Sequence, residues 1–497
     1  MVQCTSTTVS AASDATVFNP SEDCFDRLRQ AVQVCLDKFR QSGVTPFAVF
    51  ELEKELKTTL DAVGRDILEE ELNRLEPACK QEVEAKVRFQ KANYRINKRT
   101  KTTVATIFGN ITLWSFLYLH QDDGEPGLHP LHVRLGIEAA ATPALAERVG
   151  RWTVDHSQSA VRALLWREHG LKWSNARLRR VVAAFHRRVI PWRQETQVER
   201  LLHWLRVAER SRGPHQPVLA VGRDGVMVPI RGHGFQEASA ATVSVYDRRR
   251  KRLGTVYLGR MPESHQVTLT KELTSLWQAV LQRRSGALPQ LVYVTDKGQA
   301  QDEYWQFLRK TKDPCQPDQD LPWQWVLDFF HVCSYVGKLS EALFGRNSRK
   351  GQAWFRRMRQ WLRDRHHGVA NILRSALQHY YRSKLSKAAE TEFWKAYRYL
   401  RRHRRWMDYA DYRQRGLPIG SGVTEAACKT VFSERLKRSG MRWHKETAQV
   451  IVDLRVLQLS GIWDTVVRKD LQTRPQMERQ KKTSEELQPR NIGKKAG

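Results

Sequence analysis

Pro217-Val-Leu-Ala-Val-Gly-Arg-Asp224 is a run of β-branched and small apolar residues that stops on a carboxylate. Its composition predicts a β-strand over Val218–Pro229, with Asp224 at its end or just before it. Leu291-Val-Tyr-Val-Thr-Asp296 has the same form. Between them, Ala241–Tyr246 and Leu253–Gly259 read as two more strands, joined by the basic turn Asp247-Arg-Arg-Arg-Lys-Arg252. Leu269, Leu273, Leu276, Trp277, Val280 and Leu281 then recur at helical spacing. Short connections make the first three strands an antiparallel meander, whereas the helical crossover makes Leu291–Thr295 parallel to its neighbour. Asp224 and Asp296 are therefore expected side by side.

Downstream, a helix over Ala300–Lys310 leads to a fifth short strand, Trp323–Leu327, which ends on Asp328. The order strand, strand, strand, helix, strand, helix, strand is that of an RNase H-like core, a mixed five-stranded sheet with helices. Val332–Tyr412 is helical in pattern and dense in Trp, Arg and Tyr, and reads as an all-helical insertion. The glycines of Ile419-Gly-Ser-Gly-Val-Thr-Glu425 end it, and a helix over Thr424–Ser439 returns to the sheet.

Upstream of the sheet, about Phe25–Arg95 is helical in pattern, and Thr102–His120 reads as a β-hairpin turning at Gly109-Asn110. Ser157–Glu168, Gly170 and a second helix capped by Ser174 resemble a helix-turn-helix. The outer face of that second helix carries Arg177, Arg179, Arg180, Arg187 and Arg188. The multidomain α/β layout is thus 1–100 helical, 101–135 hairpin and linker, 136–212 helical and DNA-binding, 213–331 first part of the core, 332–415 insertion, 416–467 second part of the core, and 468–497 a disordered basic tail.

Charge narrows the partners. The 497 residues carry 84 Lys and Arg against 53 Asp and Glu, a net +31, which favours a polyanion. The most apolar stretch, Val104–Leu119, is broken by Gly109 and Asn110 and is too short to span a bilayer, so no membrane association is expected. The first twenty residues lack a basic start and an apolar run, and a cytoplasmic, nucleoid-associated protein is expected. Seven scattered cysteines with no C-x-x-C pair exclude a disulfide scaffold and a zinc module.

Carboxylates that end strands in a cationic chain have one demanding use. Phosphodiester cleavage requires a nucleophile active at neutral pH and stabilisation of charge on two oxygens, which two divalent ions about 4 Å apart supply when carboxylates hold them. Asp224, Asp296 and Glu425 are the candidate catalytic residues and ligands, with two Mg²⁺ or Mn²⁺ ions. Glu434 lies nine residues after Glu425, on the opposite face of a regular helix, and pairs best with Arg438. Asp328 is an alternative second carboxylate beside Asp224 or an accessory group, and His331 a contact to a phosphate or leaving group. Lys429, Arg435, Lys437, Arg438 and Arg442, with Trp443 among them, suit a DNA backbone beside an unstacked base.

These residues resemble a known group, the DDE transposases of bacterial insertion sequences, and most closely the Kra-type insertion-sequence family. The resemblance rests on Asp224-Gly225, Thr295-Asp-Lys-Gly298, Leu327-Asp-Phe-Phe-His331 and, above all, Pro418-Ile-Gly-Ser-Gly-Val-Thr-Glu-Ala-Ala-Cys-Lys429 continuing to Arg435-Leu-Lys-Arg-Ser-Gly-Met-Arg-Trp443. It covers roughly residues 217–463. It implies an RNase H-like core with Asp224, Asp296 and Glu425 as metal ligands and Asp328 and His331 as an accessory pair. The implied activity is cleavage at terminal inverted repeats and transfer of the freed 3′-hydroxyls to double-stranded target DNA by a homodimer or higher oligomer. An RNase H-fold nuclease that cuts without joining, and a DNA-binding regulator with a dead site, are the competing expectations.

Overall fold

The computed structural model describes residues 22–121, 126–473 and 478–479. Among them the chain divides into two compact units, one of residues up to Leu145 with 162–174 and 478–479, the other of 146–161 and 175–473.

In the first unit, α1 (Glu22–Gln41) is followed by α2 (Pro46–Arg74). Thr45 accepts from the Ala48 amide and Pro46 occupies the first turn, so α2 starts where a side-chain cap and a fixed φ coincide. The strands β1 (Lys86–Phe89), β2 (Ala92–Thr106) and β3 (Gly109–His120) form an antiparallel sheet, with Glu478–Arg479 beside β1. The hairpin thus begins ten residues before the expected Thr102, and the helical reading to Arg95 fails. Ala92–Lys101 has no apolar stripe to bury as a helix, whereas extended pairing satisfies its backbone. The turn is Ile107-Phe108, with Thr106 opposite Gly109, not Gly109-Asn110. Gly109 supplies the positive φ of +111° and Thr106 bonds across the turn to Phe108 and Gly109. Glu69, Asn73 and Glu76 of α2 and its C-terminal extension satisfy the free edge of β3 at Thr112, Trp114 and Phe116. A short α3 (Pro130–Arg134) completes this part.

The helices α4 (Pro143–Asp155) and α5 (Gln158–His169) both continue from one unit into the other. Gly170 turns the chain at φ +65° as expected, and α6 (Asn175–Val189) belongs to the second unit.

The second unit is α/β. After α7 (Arg193–Arg210) come β4 (Val218–Ile230), β5 (Gly234–Tyr246), β6 (Arg252–Arg260), α8 (Val267–Gln282), β7 (Gln290–Thr295), α9 (Gln299–Leu308), the small hairpin β8 (Lys312–Asp313) and β9 (Gln316–Asp320), and β10 (Gln324–Leu327). The sheet order β10-β7-β4-β5-β6 contains the antiparallel meander and the parallel pairing of β7 with β4 expected from the connections, and adds a second parallel pairing, β10 with β7. β4 matches the expected strand to within one residue, whereas β5 is longer than the sequence indicated; the two pair from Val218 with Tyr246 through Ile230 with Gly234, and the left-handed Gly232 and Gly234 close the hairpin. Of the two placements expected for Asp224, at the end of the strand or just before it, the residue lies within β4, which runs on to Ile230.

Between β10 and the last helices run α10 (Phe329–Phe344), α11 (Arg349–Asp364), α12 (Gly368–Tyr380), α13 (Lys387–His403) and α14 (Tyr409–Gln414). The segment is all-helical as expected, but it is no detached insertion. Val332, Val336, Leu339, Phe393 and Leu400 are buried in the same apolar core as Val326 and Leu327 of the sheet. The chain then forms α15 (Gly422–Ala427), a π-helical turn over Cys428–Ser433, α16 (Glu434–Leu436), α17 (Lys445–Leu459) and α18 (Trp463–Gln472). The segment from 468 expected to be a disordered tail is thus helical to Gln472, and most of its remainder lies outside the described residues, as do the first twenty. Among the described residues no helix is long and apolar enough to cross a membrane.

Candidate active site

Register places the acids. The parallel pairing of β4 with β7 ends at Val221 opposite Tyr293, and that of β10 with β7 ends at Leu327 opposite Thr295. Counting three residues on from the first pair and one from the second puts Asp224, Asp296 and Asp328 at one level, across three adjacent strands at one end of the sheet.

Glu425 reaches this level because of a glycine. Gly222 and Asp224 share a face of β4, two residues apart. A Cβ on Gly222 would lie 2.0 Å from the Thr424 Oγ, so α15 can seat on the sheet only over a residue with no side chain. The Thr424 hydroxyl is fixed there by a 2.8 Å hydrogen bond with the Thr242 hydroxyl of β5. Glu425, next to it in the first turn of α15, is exposed and accepts the Ser421 hydroxyl at 2.8 Å.

Each acid is held by its own neighbours. Asp224 is half-buried, accepts the Gly225 amide at 2.8 Å, and accepts the thiol of Cys428. Burial, then the charges of Asp296 and Glu425, raise its carboxyl above the ordinary range against those two hydrogen bonds. The Cys428 thiol is pushed up by burial and by Asp224, so it stays protonated and donates. Asp296 pairs through Oδ2 with His331 Nδ1 at 2.9 Å, while its Oδ1 is buried with no hydrogen-bond partner. The Asp296 bond raises the imidazole of His331 in spite of burial.

Asp328 is not a second ligand in waiting. It is fully buried, caps α10 by accepting the His331 amide, and accepts the Ser421 amide at 2.6 Å with its other oxygen. One carboxylate thus fixes both the helix that carries His331 and the loop that leads to Glu425. Phe329 reinforces the junction by donating to the Ile419 carbonyl.

The basic residues divide by depth. Lys429, Lys437, Arg438 and Arg442 are exposed, as a DNA contact requires. Arg435, expected on DNA, is instead 2% exposed. It donates to the Thr153 carbonyl and lies over the Trp443 ring, and burial pushes it down to about 10. Trp443 is half-buried and donates to the Leu436 carbonyl, while its backbone pairs with Pro229, the penultimate residue of β4, and with Arg231 just past the strand. It braces a loop and is no free platform for a base. Glu434 does not bind Arg438 through its carboxylate as expected; that carboxylate pairs with Arg455, and Arg438 donates to the Glu434 carbonyl. On α6, Arg179 and Arg180 are exposed and Arg177 is half-buried, whereas Arg188 is engaged by Asp470.

Two features near the acids gave no signal in sequence. The rings of Tyr335 and Tyr399 stack face to face at 3.7 Å beside His331. Lys297 is held between the rings of Trp325 and Trp406 at 4.4 and 4.6 Å and paired with Asp302. Among the described residues no three His, Cys, Asp or Glu side chains converge at metal-ligand spacing. The donor set nevertheless suits a hard divalent cation, being carboxylate oxygens of which one, Asp296 Oδ1, is buried and unpartnered. No protein-family model matches the chain, and no curated protein matches it.

Proposed function

We propose that this protein is a divalent-metal-dependent DNA strand-cutting and strand-transfer enzyme with an RNase H-like catalytic core, a transposase acting on the ends of a mobile element. The observation that carries the reading is the gathering of Asp224, Asp296 and Glu425, far apart in sequence, at one end of a mixed five-stranded sheet.

Asp224, Asp296 and Glu425 would hold the metal, Mg²⁺ or Mn²⁺, as a pair of ions. When bound, such ions activate water and offset charge on the attacking and departing oxygens. The chain's own residues set the stage for that. Gly225 N–H and the Cys428 thiol orient Asp224, His331 orients Asp296, and the Ser421 hydroxyl orients Glu425. Lys429, Lys437, Arg438 and Arg442 are exposed on the segment that follows Glu425 and supply cations to the phosphodiester backbone. The chain's excess of positive charge serves the same partner, and a nucleoid location follows from it. Two ends cut together require a homodimer or higher oligomer on double-stranded DNA.

The test is a nicking and joining assay with duplex DNA carrying the sequences that flank the gene. Wild type with Mg²⁺ is expected to cut and to join the freed 3′-ends, and EDTA to stop both. Glu425→Gln is expected to lower cutting at least about a hundredfold with DNA affinity kept. Cutting without joined product would reduce the reading to a nuclease, and cutting unchanged in the variant would overturn it.

A further inference from the structure

One residue past Asp296, the chain lines a cavity of about 580 Å³, with Lys297 and Gly298 on one side and, on the other, Arg402 and His403 from the end of α13 and Arg405 and Trp406 from the 3₁₀ turn after it. We propose that this cavity binds a phosphate group of a nucleic-acid strand, the one next along the backbone from the phosphodiester bond at the three acids.

The lining is cationic and braced. Lys297 is clamped between Trp325 and Trp406, and Arg405 stacks over Trp406 at 4.0 Å, so two of the charges are positioned before any ligand arrives. Arg402 and Arg405 are exposed and have no carboxylate partner among the described residues. Of the two acids of the lining, Asp302 is paired with Lys297 and Glu303 accepts from the Gln299 side-chain amide, so the excess positive charge of the lining is that of Arg402 and Arg405 over Glu303.

A second observation points to a ligand. His403 is only 8% exposed, and its Nδ1 has no hydrogen-bond partner. A buried ring nitrogen left unpaired is costly, and its cost disappears when an oxygen-rich group sits against it. Burial, then the nearby cations, hold this imidazole neutral, down to about 4, so it adds a hydrogen-bonding group rather than another charge. Gly298 is the N-cap of the ten-residue α9, whose first amides have no intrahelical acceptor. A helix N-terminus, flanking cations and a neutral buried His together match the oxygens of a phosphate.

Position links the cavity to the acids, since Asp296 and Lys297 are consecutive and the rings of His331, Tyr399 and His403 run in contact from the Asp296 carboxylate to the cavity wall. The assignment of the ligand to a DNA strand rests on the function proposed above; the anion cavity does not.

Thymidine 3′,5′-bisphosphate is a one-nucleotide piece of backbone, and its binding to the full-length protein by calorimetry in EDTA tests the cavity without the metal site. Wild type is expected to bind it, and Arg402→Gln/Arg405→Gln to bind at least about tenfold more weakly, because two charge-assisted hydrogen bonds are removed. Both arginines are exposed, so unchanged melting is expected, and His403→Phe serves as a second variant that keeps ring volume. Equal affinity in wild type and the double variant, or no binding by wild type, overturns the cavity. Bound bisphosphate that a short oligothymidylate fails to displace assigns the cavity to a free nucleotide and overturns the strand. If the cavity behaves as expected while wild type never nicks DNA, the proposed function fails and the cavity stands.

Discussion

Asp224 carries a conflict between stability and use. Burial and two neighbouring acids raise its folded-state carboxyl above that of the unfolded chain, so the native state binds this proton more tightly. Its contribution to stability is then fully present below the unfolded carboxyl range and is lost as pH rises through the raised folded value. At neutral pH without metal the ionised group is a burden. Asp224→Asn is therefore expected to raise the melting temperature in EDTA, by about 1–2 °C for each kcal/mol relieved, while abolishing cutting. Calorimetry at pH 5 and pH 8 checks the sign, since the gain should shrink at the lower pH. The three acids were legible in sequence because a carboxylate beside a β-rich run or a glycine-rich break is a local pattern. The depth of Arg435 was not legible: its partner, the Thr153 carbonyl, lies 282 residues away, and a charge in sequence does not reveal its burial. Arg435→Ala is expected to cost about 3 kcal/mol in urea unfolding and leave the salt dependence of DNA binding unchanged. Lys437→Gln/Arg438→Gln should leave stability unchanged and flatten the slope of log affinity against log salt by about 0.9 for each phosphate no longer neutralised.

At the scale of elements, strand identities and directions followed from apolar runs and connection lengths, whereas lengths did not. β5 begins seven residues before the expected Ala241 because two left-handed glycines allow a tight hairpin that keeps both arms paired. The rotation argument that set Glu425 against Glu434 presumed a regular helix, yet a π-helical turn lies between them. The choice of Glu425 rests instead on the seat of α15 over Gly222. Gly222→Ala is expected to cost about 1–3 kcal/mol by overpacking against Thr424. It should also lower cutting more than DNA binding, read as a fall in nicking rate at saturating DNA. Thr424→Ser paired with Gly222→Ala should recover little, because the clash is with the shared Oγ.

For the whole molecule, the sequence divided the chain by composition, and composition does not reveal which segments share a core. The helical stretch between β10 and α15 reads as separable, yet α10 and α13 bury Val336, Leu339, Phe393 and Leu400 with the sheet, and Trp406 packs on Trp325 at 4.7 Å. Replacing residues 345–404 by a short glycine-serine linker is expected to abolish cooperative unfolding of the remaining chain rather than release an intact sheet; a sharp calorimetric transition in the shortened protein would show the segment to be dispensable for folding.

The buried carboxylate of Asp328 joins the Ser421 amide across 93 residues, and through it the loop that presents Glu425 is anchored to the sheet. During synthesis this bond cannot form until Ser421 has left the ribosome. A nascent chain that has not reached Ser421 consequently carries Asp224, Asp296 and an Asp328 carboxylate without its second backbone partner, and neither the anchored loop nor Glu425.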